Sequence, residues 1–156
     1  MNDQKDRTHR AVLVEVGKYS ELIDEVIAPL IQELWRADIQ TLMSCQGAED
    51  DKVWIAFDDA EQLARFLNIA AEYEVGSETL YNRICFNVPY ADLEQLWEFE
   101  IFPIDAAHFN SEERFAAEEV ERYEDFPDFF FMYSVLFPRS DLATVFERFT
   151  RYNACR

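Results

Sequence analysis

The chain has 156 residues, 49% of them hydrophobic and 15% aromatic, and this length and apolar content predict a folded domain rather than a disordered chain. Its 32 acidic residues against 14 lysine and arginine residues give a formal net charge of −18. A field of that sign repels phosphate backbones and anionic headgroups, which excludes electrostatic binding to nucleic acid or to membranes and leaves basic proteins, cations and neutral molecules as partners.

Three cysteines, Cys45, Cys85 and Cys155, are odd in number and widely spaced, without a C-x-x-C pair. This pattern argues against a disulfide framework and a structural zinc site, and it favours a reducing compartment. The N-terminus is polar, and no run approaches the ~20 apolar residues of a membrane span. We therefore expect a cytoplasmic protein that uses no cofactor and binds no membrane.

The sequence predicts a flexible tail at residues 1–9, followed by a single domain formed by residues 10–156. Residues 10–16 alternate valine with other side chains, which predicts a first strand, and Gly17 ends it.

A helical stripe of apolar residues then repeats every four positions from Leu22 to Trp35. Pro29 lies within this stripe and cannot donate a backbone hydrogen bond. We therefore expect the helix to begin near Glu25, with Pro29 in its first turn and with residues 19–24 as a separate turn.

A hairpin is predicted at residues 39–57, where two apolar strands flank a polar turn. Gly47 in that turn is one of only three glycines in the chain, which indicates a positive φ or a close backbone approach. Residues 63–70 then have a helical pattern, residues 74–80 are typical of a loop, and residues 81–88 alternate as a strand.

The resulting order in residues 10–88 is strand, helix, strand, strand, helix, strand. This order predicts an α+β, ferredoxin-like (βαββαβ) core, an antiparallel sheet with its helices on one face. Residues 89–156 extend the core by a strand at 129–137 and a helix at 140–152. Residues 91–99 predict a short helix, although their alternation also suits a strand.

The candidate site is the 44–47 turn, formed by Ser44, Cys45, Gln46 and Gly47. A thiol at a strand end can act as a nucleophile, with Ser44 beside it, and the backbone N–H groups near a glycine can hold an oxyanion. Gln46 and Gly47 are accordingly the candidate ligand-binding residues.

The alternation of the strand weakens a catalytic role for Cys45, because it places Cys45 on the same side as Ile39 and Met43. If that side faces the core, the thiol is inert. A nucleophile also needs a base, and His9 and His108 are the only histidines. The sequence therefore favours a protein that is not an enzyme.

Two acidic clusters are candidates for a metal site. His108 precedes Glu112 and Glu113, but the spacing matches no metal-binding motif. Residues 49–51 are all acidic but lack the alternating ligands and the glycine of an EF-hand. No metal site is expected.

An acidic segment, residues 112–128, overlaps a predicted helix at 111–123. Such a helix can imitate a row of phosphates and bind a basic protein, although a solvated helix face has the same composition. Phenylalanines at 126 and 129–131 follow at once and predict an apolar patch suited to self-association.

The segments A-P-L-I-x-x-L-W (residues 28–35) and T-x-x-S-C-x-G (residues 41–47) resemble a scattered set of small uncharacterised bacterial and phage-type proteins. The resemblance covers about residues 11–70 and implies no activity. A looser similarity is to the wybutosine-synthesis protein 3 family, which has an S-C-x-G-R strand end. Here Ala48 follows Gly47, and the net charge opposes tRNA binding, so that function is not implied.

We therefore expect a non-enzymatic binding or regulatory module that acts through protein–protein contacts, either as a homodimer or with a basic protein. One alternative is a small enzyme or ligand-binding protein that uses the 44–47 turn. The other is an acidic mimic of nucleic acid that binds a basic protein.

Overall fold

The computed structural model describes residues 10–47, 51–75, 79–85, 96–105 and 129–156. Several sequence predictions concern residues outside these ranges and stay predictions: the tail at 1–9, acidic residues 49 and 50, His108, the helix at 111–123 and the acidic segment 112–128.

The described residues form a mixed α+β fold with two antiparallel sheets and four helices. In chain order the elements are β1 (Ala11–Val16), β2 (Tyr19–Asp24), α1 (Ala28–Arg36), β3 (Met43–Cys45), β4 (Lys52–Phe57), α2 (Ala60–Ala70), α3 (Leu80–Cys85), β5 (Glu98–Asp105), β6 (Phe129–Pro138), a 3-10 turn (Arg139–Asp141) and α4 (Leu142–Ala154). None of these helices is both long and apolar enough to span a bilayer.

The ferredoxin-like topology is not confirmed. β1 and β2 form a sheet of their own, and the second sheet has the strand order β3-β4-β6-β5. β6 therefore lies between two strands that precede it in the chain, with Ile55 opposite Val135 and Ile101 opposite Tyr133. The pairing of β4 with β6 decides this order. It joins segments about 80 residues apart, so local sequence patterns do not reveal it.

Residues 19–24 form β2 and not the separate turn that we expected. Gly17 adopts a φ of +55° and turns the chain so that Tyr19 pairs with Val16. In this pairing Ile23 faces the core, whereas Leu22 points outward and is 72% exposed. Leu22 therefore has no place in the helical stripe. α1 begins three residues later than expected, and Pro29 lies in its first turn, as predicted.

The predicted strand at 81–88 is helical over its described part, residues 81–85. Thr79 starts this helix, because its hydroxyl accepts a hydrogen bond from the backbone N–H of Asn82 at 3.3 Å. Leu80 and Ile84, four residues apart, are both buried on one helical face. Of the two alternatives expected at 91–99, a short helix or a strand, the described end is a strand, because β5 begins at Glu98.

One aromatic cluster lies at the centre of the core. Phe66 of α2 packs against Phe57 and Phe149, each at a ring-centroid distance of 5.6 Å, and Trp97 stacks on Phe137 at 4.5 Å. All five side chains are fully buried, and each contributes on the order of 1.5–3 kcal/mol of burial free energy. α2 packs on β4 and β6, while α1 packs between α4 and the β1–β2 hairpin.

A partly buried ion pair joins three distant elements to this core. Both guanidinium nitrogens of Arg83 donate to the Asp141 carboxylate, at 2.7 and 2.8 Å, and Trp97 Nε1 donates to it at 3.0 Å. These hydrogen bonds stabilise the charged form of Arg83 and raise its pKa, although burial acts in the opposite direction. The pair thereby links α3, the chain ahead of β5 and the start of α4.

We predict that Asp141→Asn lowers the free energy of unfolding by about 3 kcal/mol, because it removes the charge of the carboxylate that both terminal nitrogens of the mostly buried Arg83 bind. The matched control is Asp38→Asn, which removes the exposed pair between Asp38 and Arg156 and should cost about 1 kcal/mol or less. Urea unfolding measures both values. Equal losses for the two variants would contradict a structural role for the Arg83–Asp141 pair.

Candidate functional site

The orientation of the cysteine differs from the sequence expectation. Ser44 lies opposite Ile55 and therefore on the core side of the sheet, whereas Cys45 lies opposite Trp54 on the other side. Met43 shares the side of Cys45 and is exposed, and Cys45 itself is half-buried. The expected alternation from Ile39 fails because β3 begins only at Met43.

Gln46 is buried and holds three parts of the chain together. Its side-chain Oε1 accepts a hydrogen bond from Val26 N at 2.9 Å, and its backbone N–H donates to Asp24 Oδ2 at 3.0 Å. Its backbone carbonyl accepts from a guanidinium nitrogen of Arg139 at 3.2 Å. The side-chain oxygen of Gln46, a residue that we expected to bind a ligand, is thus engaged with the segment that leads into α1.

Gly47 meets both conditions that the sequence indicated. It adopts a φ of +86°, and a Cβ atom at this position would lie 1.9 Å from the backbone oxygen of Lys52. Its N–H also donates to Cys45 Sγ at 3.4 Å. The glycine is therefore required by the turn itself, whether or not the turn binds a ligand.

Sequence reasoning missed two side chains at this turn, Asp24 and Arg139. The pairing of β4 with β6 brings Arg139 beside Asp51, whose carboxylate lies 3.3 Å from the guanidinium. Within the described residues, the buried Nε of Arg139 has no hydrogen-bond partner. This nitrogen lies next to the 44–47 turn and is enclosed by the protein. The sequence held no local signal for it, because Arg139 is 93 positions from Gln46.

A groove of about 560 Å³ between α2 and α4 contains three arginines, Arg65, Arg148 and Arg151. The buried Arg148 donates to the Ala70 carbonyl at 2.5 Å and also binds the carboxylate of Glu74. Arg65 similarly donates to two carbonyls beyond the end of α1, at 2.8 and 2.9 Å. Arg65 and Arg148 thus satisfy carbonyls that helix ends leave unpaired, and Arg151 binds the carboxylate of Glu72. All three arginines of the groove are therefore engaged within the chain.

A second depression, the apolar groove, lies between α2, α3 and the outer part of β5 and β6. Its volume is about 680 Å³. The side chains that line it are mostly apolar and include Leu63, Leu67, Ile84, Phe99, Ile101 and Tyr133.

Two residues of β5 give the apolar groove an exposed wall. Phe99 is 41% and Ile101 is 62% exposed, although both lie on the same side of the sheet as the core residue Val135. Phe131 of β6 lies opposite Pro103 of β5 and extends this wall. Phe131 and Phe129 are both exposed. The predicted apolar patch at 129–131 is thus partly present and continuous with the groove.

Among the described residues that line the apolar groove, Glu100 is the one that carries a charge. Glu98, two residues earlier on β5, is half-exposed, and its carboxylate lies 3.5 Å from Lys52 Nζ. Eight of the ten basic residues that the structure describes already bind a carboxylate or a carbonyl within the chain: Arg36, Lys52, Arg65, Arg83, Arg139, Arg148, Arg151 and Arg156. A partner at the groove therefore meets a negative field.

Comparison of the chain with protein-family models, with curated proteins and with solved structures finds no match. The resemblances based on residues 28–35 and 41–47 stay predictions. Function is therefore inferred from the geometry of the grooves and of the 44–47 turn. In the described part of the chain, no group of three or more histidine, cysteine, aspartate or glutamate side chains is placed to hold a metal ion.

We predict that Cys85 and Cys155 are alkylated by iodoacetamide at neutral pH before Cys45. The first two are exposed, whereas Cys45 is half-buried and its sulfur accepts the Gly47 N–H. Site assignment by mass spectrometry gives the order. If Cys45 reacts first, its thiol is activated. That result would favour an enzyme that uses the 44–47 turn over a non-enzymatic binding module.

We predict that Gly47→Ala prevents stable folding or lowers the free energy of unfolding by about 3 kcal/mol or more, because the methyl group combines backbone strain with a clash against Lys52. Gly17→Ala is the matched control. Gly17 also has a positive φ, but the space around it is open, so only the strain of about 1–2 kcal/mol applies. Urea unfolding of both variants tests this difference, and equal losses would contradict the close approach at Gly47.

Proposed function

We propose that this protein is a non-enzymatic binding module, and that its apolar groove takes an apolar segment of another protein that carries lysine or arginine at its flanks. The observation that supports the proposal is the exposure of Phe99 and Ile101 on the wall of a groove whose lining also contains Glu100.

The apolar part of the proposed ligand follows from the wall. Large apolar side chains that are exposed together mark interaction surfaces more often than isolated ones do. Covering Ile101 completely would contribute on the order of 1.5–3 kcal/mol. The groove is bounded by helices and a paired strand, so little ordering of the protein is needed when a ligand enters.

The basic part follows from the charge. A chain with a net charge of −18 attracts cationic partners over long distances and speeds their association. At the groove itself, Glu100 provides a carboxylate with which a lysine or arginine of the partner can form an ion pair. The same field opposes an acidic or phosphorylated ligand.

The 44–47 turn supports a function less well, because Gln46 and Gly47 are committed to backbone contacts that hold the turn. The acidic mimic depends on the segment 112–128, which lies outside the described residues. The apolar groove is therefore the surface with the strongest support.

We predict that a labelled amphipathic peptide of leucine and lysine binds the protein and that Ile101→Asp raises its Kd about tenfold or more, since the loss of one buried isoleucine exceeds the 1.4 kcal/mol of a tenfold change. Fluorescence anisotropy gives the Kd. An otherwise identical peptide of leucine and glutamate should not bind.

Leu22→Asp provides the control, because it makes the same change of charge at an exposed leucine on the β1–β2 hairpin. It should leave the Kd unchanged. If Ile101→Asp binds the leucine–lysine peptide as tightly as Leu22→Asp does, the attraction is due to net charge alone and the proposed groove is wrong.

A further inference from the structure

The β1–β2 hairpin has two outer edges, and only one of them is covered by described residues. Along β2, Asp24 accepts the N–H of Gln46, and the following segment binds the Gln46 side chain through Val26. The other edge belongs to β1, which pairs with β2 alone among the described strands. No described strand pairs with the outward N–H and C=O groups of β1, and such an edge is a template for a further strand.

Beside the free edge of β1 lies a second groove, the β1 groove, of about 430 Å³. The groove is lined on one side by residues 12–15 of β1, which include Val12, Val14 and Glu15. Its other side is formed by Glu25 and by Ala28, Pro29 and Gln32 of α1. An added strand would thus gain backbone hydrogen bonds from β1 and apolar contacts from α1.

The outer face of the hairpin carries a pair of exposed leucines. Leu13 lies directly opposite Leu22, and their side chains are 59% and 72% exposed. A two-stranded sheet with one exposed apolar face is marginally stable in water, and a third and fourth strand would stabilise it.

We propose that two copies of this chain associate by antiparallel pairing of β1 with β1 of the second copy, about a two-fold axis at Leu13. This pairing joins the two hairpins into one four-stranded sheet. It uses a surface separate from the apolar groove and does not depend on the function proposed for that groove.

The sequence of β1 favours a second copy as the occupant. Val12-Leu13-Val14 is the same in both chain directions, so antiparallel pairing centred on Leu13 places Leu13 against Leu13 and Val12 against Val14 of the second copy. Glu15 then lies opposite Ala11, and no two carboxylates of the paired strands face each other. A register centred on Glu15 would instead oppose two carboxylates, which the charge disfavours.

The register is tested with Leu13→Cys in a chain whose Cys45, Cys85 and Cys155 are replaced by serine. At the two-fold axis the two Cα atoms are about 5 Å apart, within the range that a disulfide spans, so diamide should produce a disulfide-linked dimer. In the same background, the Cβ atoms of Glu15→Cys lie about four residues apart along the strands, or roughly 13 Å, and should not link. A Glu15→Cys dimer that forms as fast as the Leu13→Cys dimer would overturn the register.

Association itself is measured by sedimentation equilibrium. Leu13→Glu opposes two carboxylates at the axis and should raise the dimer dissociation constant about tenfold or more, whereas Ile101→Asp should leave it unchanged. Both side chains are exposed, and urea unfolding confirms that each variant folds. A wild-type chain that stays monomeric at roughly 100 μM overturns the proposal. A dimer that Ile101→Asp dissociates and Leu13→Glu does not overturns it too, and assigns the interface to the apolar groove.

Discussion

The constraint on which the structure depends is a shortage of positive charge. With a net charge of −18, carboxylates repel one another across the whole domain, and each arginine in the interior lowers that cost locally. The arginines accordingly bind groups that the fold most needs to satisfy. Arg83 neutralises the buried Asp141, while Arg65 and Arg148 donate to carbonyls at the ends of α1 and α2. Because these cations are engaged within the chain, the carboxylates dominate what a partner encounters.

This use of arginine explains why the most polar places are poor candidates for a site. At the 44–47 turn the amide oxygen of Gln46 and the backbone of Gly47 fix the positions of neighbouring segments. In the groove between α2 and α4, Arg148 is held by a carbonyl and by carboxylates of its own chain. A ligand at either place would have to replace bonds on which the fold relies. The exposed wall formed by Phe99 and Ile101 has no such commitment.

Sequence patterns located the elements that have long amphipathic faces. The strand expected at 129–137 is β6, the helix at 140–152 is α4, and the helix at 63–70 is α2. In the candidate site, the strain at Gly47 could be inferred because a scarce glycine beside a strand end signals a special backbone position. Arg139 could not be inferred, since only the pairing of β4 with β6 brings it to Gln46.

The misassigned segments are short, and their side chains fit two periods equally well. Leu22 follows a four-residue repeat with Val26, yet it also fits the alternation of β2, and the Gly17 turn selects the strand. Ile84 fits an alternation with residues 86 and 88 and a helical spacing with Leu80, and Thr79 selects the helix by accepting the Asn82 N–H. In both cases one local hydrogen-bonding or turn residue decides between two patterns of equal apolar content. Because Leu22 lies in β2 and not in α1, it forms an exposed pair with Leu13 on the hairpin, beside the outer edge of β1.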